Sequence, residues 1–232
     1  MHDFFAAVIL GVVEGITEFL PISSTGHLIL VNQWVGFTDQ FEKMFDVVIQ
    51  LGAILAVVIY FWKRLWPFSP SLGVEKRAEI WSTWIKAVVG TLPAILLGAL
   101  FGSRVKEFLF NPVVVACALL GWGVIIIIIE KRVKKANIKS ITELTLVTVL
   151  LIGFIQCLAM VPGTSRSAAT IVGAMMLGST RVVAAEFSFF LAIPTMCAAS
   201  AYSLLKYGGK ITAHEALTLG TGFVVAFIVA LA

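Results

Sequence analysis

Gly11-Val-Val-Glu14-Gly-Ile-Thr-Glu18-Phe-Leu-Pro21-Ile-Ser23-Ser24-Thr25-Gly26-His27 has a divergent second copy in this chain, and the duplication settles what kind of molecule it is. The second copy runs Gly153-Phe-Ile-Gln156-Cys-Leu-Ala-Met160-Val-Pro162-Gly163-Thr164-Ser165-Arg166-Ser167-Ala-Ala-Thr170. Gly11 falls on Gly153 and Glu14 on Gln156, 142 residues on; one gap later Pro21-x-Ser-Ser24 falls on Pro162-x-Thr-Ser165. The match resumes where Phe45-Asp-Val-Val-Ile-Gln falls on Phe187-Ser-Phe-Phe-Leu-Ala, again 142 apart. Both copies break an apolar stretch with polar residues that lipid would not tolerate. In a membrane protein, paired interrupted helices point to a site near the bilayer midplane.

The surrounding sequence agrees. The chain is 59% hydrophobic and 13% charged, with a mean hydropathy of +1.01, which excludes a soluble domain. Its apolar runs approach the ~20 helical residues that span a ~30 Å hydrocarbon core. The net charge of +4 gathers in two loops, so it reads as topology and implies no nucleic-acid partner. Cys117, Cys157 and Cys197 lie in apolar segments, where thiols pack rather than pair. Met1-His-Asp lacks the positive region of a signal peptide. The sequence stops within the apolar run Phe223–Ala232, and a further C-terminal helix is expected beyond it.

Five spans are expected, near 43–62, 84–102, 111–129, 183–205 and 214–232. Segments 4–36 and 145–178 are broken near their middles by Pro21 and Pro162-Gly163, because proline removes a backbone donor and pushes the preceding residue out of helical geometry. Each half is only ~12–16 residues, or ~18–24 Å, too short to cross comfortably. Each reads as a hairpin that dips in and returns, surviving only inside protein or beside a wet cavity.

Three full spans separate the copies, so the second hairpin enters from the opposite side, and both tips can meet near the midplane. Lys63, Arg64, Lys76 and Arg77 then share a face with Lys131, Arg132, Lys134, Lys135 and Lys139, and the basic excess makes that face cytoplasmic. The expected fold class is all-α: a polytopic membrane helical bundle with an inverted-topology repeat, each half carrying a broken re-entrant hairpin. Residues 1–232 form one membrane domain, with repeats at 1–142 and 143–232. Were each hairpin a single kinked span, the repeat would be parallel and the loop charges would disagree.

Glu14 and Glu18, four apart, share one helical face, and two carboxylates in an apolar segment call for a raised pKa or a cation between them. A bland alternative has them merely facing a wet cavity. One would bind metal and the other serve as general acid or base. Ser23, Ser24 and Thr25 put hydroxyls at the hairpin tip, and His27 returns to the helical face of Ser24, within reach of a serine nucleophile. One of the three hydroxyls caps the following helix. In the second copy, Gly163 lets the backbone approach a ligand, and a helix N-terminus favours an anion. Arg166 supplies a planar fork matched to phosphate, and Thr164, Ser165, Ser167 and Thr170 supply short donors. The bland partner for Arg166 is Glu14 or Glu18; a phosphate accounts better for the glycine and the hydroxyls.

These residues resemble the undecaprenyl-pyrophosphate phosphatase family linked to bacitracin resistance, over nearly the whole chain. The resemblance rests on Glu14-x-x-x-Glu18 with Phe-Leu-Pro-x-Ser-Ser-Thr-Gly-His27, and on Pro-Gly-x-Ser-Arg166-Ser-x-x-Thr170. Phe45-Asp-Val-Val-Ile-Gln50-Leu-Gly, Phe110-Asn-Pro and Glu186-Phe-Ser-Phe are similar too. It implies hydrolysis of undecaprenyl diphosphate to the monophosphate carrier and inorganic phosphate, at a bacterial inner (plasma) membrane. It implies a divalent cation, Mg2+ or Ca2+, on Glu14 and Glu18, and it implicates Glu14, Glu18, Ser24, His27, Ser165, Arg166 and Thr170. A homodimer is left open. The reading from residues converges on phosphoryl transfer from a lipid-anchored diphosphate, opening to the periplasmic side. Ser24 attacking phosphorus, His27 as nucleophile, and carboxylate-activated water remain three versions of it. The rival is a transporter or flippase of the same lipid, which would want Arg166 equally but would not need Ser24, His27 and two carboxylates.

Overall fold

Helices stop short of Pro21 and of Pro162-Gly163, whereas Pro93 and Pro194 lie inside long apolar helices that continue past them. The computed structural model describes residues 2–37, 39–109, 111–132 and 136–232; Phe110, Lys134 and Lys135 lie outside the described residues. In chain order the α-helices are α1 (His2–Thr17), α2 (Ser24–Val35), α3 (Asp39–Tyr60), α4 (Trp62–Leu65), α5 (Val74–Leu109), α6 (Pro112–Arg132), α7 (Leu146–Gln156), α8 (Arg166–Met176), α9 (Arg181–Tyr207) and α10 (Ala213–Leu231). Among the described residues the only extended pairing is a single bridge between Ile138 and Ser179. Five helices are long and apolar enough to cross a membrane: Phe41–Tyr60, Val74–Gly102, Pro112–Lys131, Arg181–Tyr207 and Ala213–Leu231.

The helices group into two compact units, one of residues up to Tyr60 with Met196–Ala232, the other Phe61–Thr195. In the first, α1 and α10 cross with backbones nearly touching. A Cβ on Gly11 would lie 2.8 Å from the Gly222 carbonyl oxygen, and one on Gly15 would lie 2.8 Å from that of Ala226. Gly11 and Gly15 are one turn apart and give the α10 backbone, with the side chains of Val225 and Val229, room to approach where lipid offers no hydrophobic drive between helices. Beside this crossing, Leu10, Leu28, Met44, Phe45, Ile49 and Leu219 form a buried core. Thr212 and Glu215 start α10 with a reciprocal cap: the Glu215 amide donates to Thr212 Oγ1 at 3.2 Å, and the Thr212 amide donates to Glu215 Oε2 at 2.7 Å.

In the second unit, α5 and α7 repeat the close crossing, since a Cβ on Gly153 would lie 2.3 Å from the Gly90 carbonyl oxygen. Gly11 and Gly153, paired by the repeat, thus each mark a crossing within their own unit. Lys86 Nζ donates to the carbonyls of Ile141 and Thr142, both at 2.8 Å, tying α5 to the segment before α7. Arg64 pairs with Glu186, and Arg181 pairs with Glu130 at 2.5 Å. The expected span at 84–102 begins earlier, at Val74: charged residues continue the helix, helped by Lys76 Nζ on Glu79 Oε2 at 3.2 Å. Along α6 the apolar side chains, Leu120, Val124 and Ile127 among them, point out of the structure, as lipid-facing residues do.

Candidate active site

The first broken helix brings an acid to a hydroxyl. The α1 ladder continues one residue past its end, with the Glu18 amide donating to the Glu14 carbonyl at 3.0 Å. The chain then turns through residues 18–23 and restarts at Ser24. Glu14 is completely buried, and Glu18, Ser23 and Ser24 are nearly so. Ser24 Oγ donates to Glu18 Oε2 at 2.5 Å. A hydroxyl carries one proton, so Ser24 is committed to Glu18 and not to His27.

Ser23 makes that geometry. It caps α2 by accepting from the Gly26 amide at 3.2 Å, and it does so at φ 64°, a left-handed backbone that is strained for a residue with a Cβ. Its carbonyl lies 2.9 Å from His27 Nδ1. A carbonyl only accepts, so Nδ1 carries a proton, and the neutral form of this ring has its lone pair on Nε2. Thr25 sits half-buried in the first turn of α2.

The second broken helix brings a cation to a helix N-terminus. A tight helical turn, Cys157–Met160, follows α7; Pro162 and Gly163 then reverse the chain, and α8 begins at Arg166. Gly163 holds φ +86°, and a Cβ there would lie 2.6 Å from the Val115 carbonyl oxygen, so both conformation and space require glycine. Here the positive φ falls on the glycine, whereas in the first copy it falls on Ser23. Ser165 caps α8 by accepting from the Ala168 amide at 3.1 Å, and its Oγ lies 2.9 Å from Ser167 Oγ. Thr164 Oγ1 accepts from the Trp122 indole at 3.1 Å.

Arg166 is buried in the first turn of α8, and its Nη1 donates to the Ser188 carbonyl at 3.1 Å. The first turn of a helix carries the positive end of its dipole, so the guanidinium adds positive charge where backbone amides already favour an anion. Thr170 Oγ1 lies 2.9 Å from the Arg166 carbonyl and 2.6 Å from Ser188 Oγ. Sequence reasoning gave Ser188 no role, although it lies in the family-like Glu186-Phe-Ser-Phe and the repeat sets it opposite Asp46; that carboxylate accepts from Asn32 Nδ2 at 3.2 Å. Gln156, opposite Glu14, is buried with its Nε2 without a hydrogen-bond partner.

The family described as bacitracin resistance protein BacA matches residues 7–232. Undecaprenyl-diphosphatase 1 of Clostridioides difficile (strain 630) is 48% identical over 231 residues, covering 99% of this chain and 84% of that protein. Undecaprenyl-diphosphatase of Enterococcus faecalis is 47% identical over 234 residues, covering 98% of this chain and 84% of its own. The Lactiplantibacillus plantarum (strain ATCC BAA-793 / NCIMB 8826 / WCFS1) undecaprenyl-diphosphatase is 45% identical over 237 residues, covering 99% and 86%.

Proposed function

We infer that this chain, which belongs to the bacitracin resistance protein BacA family, is a multi-pass membrane phosphatase that hydrolyses undecaprenyl diphosphate to undecaprenyl phosphate and inorganic phosphate. Near-full-length identity to proteins named undecaprenyl-diphosphatase supports the activity; those names give the transporter reading no support. For the chemistry, the observation that carries the proposal is the 2.5 Å hydrogen bond from Ser24 to Glu18.

In the proposed mechanism, Ser24 Oγ attacks the terminal phosphorus and passes its proton to Glu18. The bond from that phosphorus to the bridging oxygen breaks, and undecaprenyl phosphate leaves. Water then attacks the phosphoserine, its proton taken by His27 Nε2; the bond from phosphorus to Ser24 Oγ breaks, Glu18 returns its proton to that oxygen, and phosphate departs. Arg166 and the N-terminus of α8, with Ser165, Ser167, Thr164 and the Gly163 backbone, neutralise charge on the transferring phosphoryl oxygens. Ser23 and Thr25 flank the nucleophile and are assigned to the same phosphate. Both hairpin tips serve one substrate in this proposal, an assignment whose support is the duplication in the sequence. The free lone pair on His27 Nε2 also favours a second version in which imidazole is the nucleophile. Trapping the phosphorylated enzyme and finding the label on residue 24 or residue 27 separates the two; no label moves the choice to direct attack by water.

Glu14 and Glu18 would hold the divalent cation, Mg2+ or Ca2+. Among the described residues no three His, Cys, Asp or Glu side chains gather into a metal cage. Two buried carboxylates suit a hard cation whose remaining ligands are water and substrate phosphate, the usual habit of Mg2+. Bound there, it would screen phosphate charge. The basic residues Lys63, Arg64, Lys76, Arg77, Lys131 and Arg132 support a cytoplasmic placement for their loops and hence a site opening to the periplasmic side.

A further inference from the structure

We infer that Ser188 is the positioning residue of Arg166, gripping it at both ends with Thr170 as the relay. The inference rests on the reading that Arg166 meets the substrate's phosphate. All three residues belong to the 61–195 unit, Arg166 and Thr170 on α8 and Ser188 on α9. Thr170 and Ser188 are completely buried, so each hydroxyl proton must find an acceptor inside the protein.

The proton directions follow from counting. Thr170 Oγ1 lies 2.9 Å from the Arg166 carbonyl, 3.2 Å from the Ser167 carbonyl and 2.6 Å from Ser188 Oγ. Carbonyls only accept, and Thr170 has one proton to give. If Thr170 gave it to Ser188, both carbonyl contacts would lose their hydrogen, and the buried Ser188 proton would have no acceptor. Ser188 therefore donates to Thr170, and Thr170 donates to the Arg166 backbone. Meanwhile the Ser188 carbonyl accepts from Arg166 Nη1 at 3.1 Å. One residue thus fixes the arginine through its guanidinium and through its backbone. Thr170, expected from sequence to donate to phosphate, spends its proton inside this relay.

The residue type matters as well. The repeat counterpart of Ser188 is Asp46, a carboxylate bonded to Asn32. A carboxylate at 188 would pair with Arg166 and compete with the substrate for its charge. Serine supplies the hydroxyl of the relay without setting a negative charge beside the guanidinium.

The test is steady-state phosphate release from undecaprenyl diphosphate by the full chain in detergent. Ser188→Ala and Thr170→Val should each lower kcat/KM about tenfold, and the double variant should be no worse than either, because the links lie in series. Ser188→Thr, which keeps the donor, should stay within about threefold of the parent. Ser188→Asp should raise KM about a hundredfold with a smaller change in kcat, a split that loosened packing would not produce. The inference is overturned by wild-type kinetics in Ser188→Ala, by single losses that multiply in the double variant, or by an unchanged KM in Ser188→Asp. Should Ser188→Ala not fold, Thr170→Val and Ser188→Asp decide alone. An inactive parent, or an Arg166→Ala variant as active as the parent, would instead sink the reading on which the inference rests.

Discussion

Replacing Gly163 by alanine separates two penalties that usually arrive together. Gly163 and Gly178 both hold a positive φ, +86° and +96°, but a Cβ on Gly178 meets nothing within 4 Å while one on Gly163 meets the Val115 carbonyl oxygen at 2.6 Å. Gly178→Ala therefore carries backbone strain alone, roughly 1–2 kcal/mol. Gly163→Ala carries that strain plus overpacking against a backbone that cannot swing aside, a further 1–3 kcal/mol or so. For a chain of this size the difference is a gap of about 2–12 °C in thermal midpoint. Relief of the clash also moves the turn three residues before Arg166, and a displacement near 1 Å lowers turnover about a hundredfold. Thermal unfolding in detergent and phosphate release, run on both variants, read the two effects. Equal midpoints, or a Gly163→Ala protein with parental turnover, would refute the reasoning.

Glu18→Gln keeps the shape that accepts from Ser24 but removes the base, so kcat should fall about 10²–10⁴-fold with KM nearly unchanged; a loss under tenfold in stopped-assay phosphate release counts against the proposed proton transfer. A chelator should abolish turnover, Mg2+ or Ca2+ should restore it, and Glu14→Gln should demand more metal for the same rate; chelator-insensitive turnover would remove the cation from the mechanism. In the loop before α7, the Lys139 amide donates to Glu143 Oε2 at 2.8 Å and holds that carboxyl below its ordinary range. A depressed carboxylate stabilises the fold above its unfolded pKa and loses that contribution as pH falls through the folded value. Exchange protection of the Lys139 amide, corrected for intrinsic rate, should therefore drop between about pH 5 and 3 and become independent of pH in Glu143→Gln.

The membrane helices were readable in the sequence because hydrophobic thickness imposes a length, and the breaks were readable where proline coincides with a polar run, since Pro93 and Pro194 in apolar surroundings stay within helices. The close crossing of α1 and α10 was encoded as well, in Gly11-x-x-x-Gly15, but only the α10 backbone with Val225 and Val229 gives that spacing its meaning. The partner of Ser24 was not legible. Helical periodicity sets Ser24 beside His27, whereas the strained φ at Ser23 turns the chain so that Ser24 faces back to Glu18 and His27 caps the Ser23 carbonyl. Thr170 shows the same limit: its spacing from Arg166 was plain, but where its single proton goes depends on Ser188, distant in sequence and contributed by another helix.

The most direct test is release of inorganic phosphate from undecaprenyl diphosphate by the purified chain, with Arg166→Ala alongside. One phosphate per lipid, undecaprenyl phosphate as co-product, and a loss of about 10²–10³-fold in the arginine variant are predicted. A folded parent that releases no phosphate, or an Arg166→Ala variant that matches it, would contradict the account.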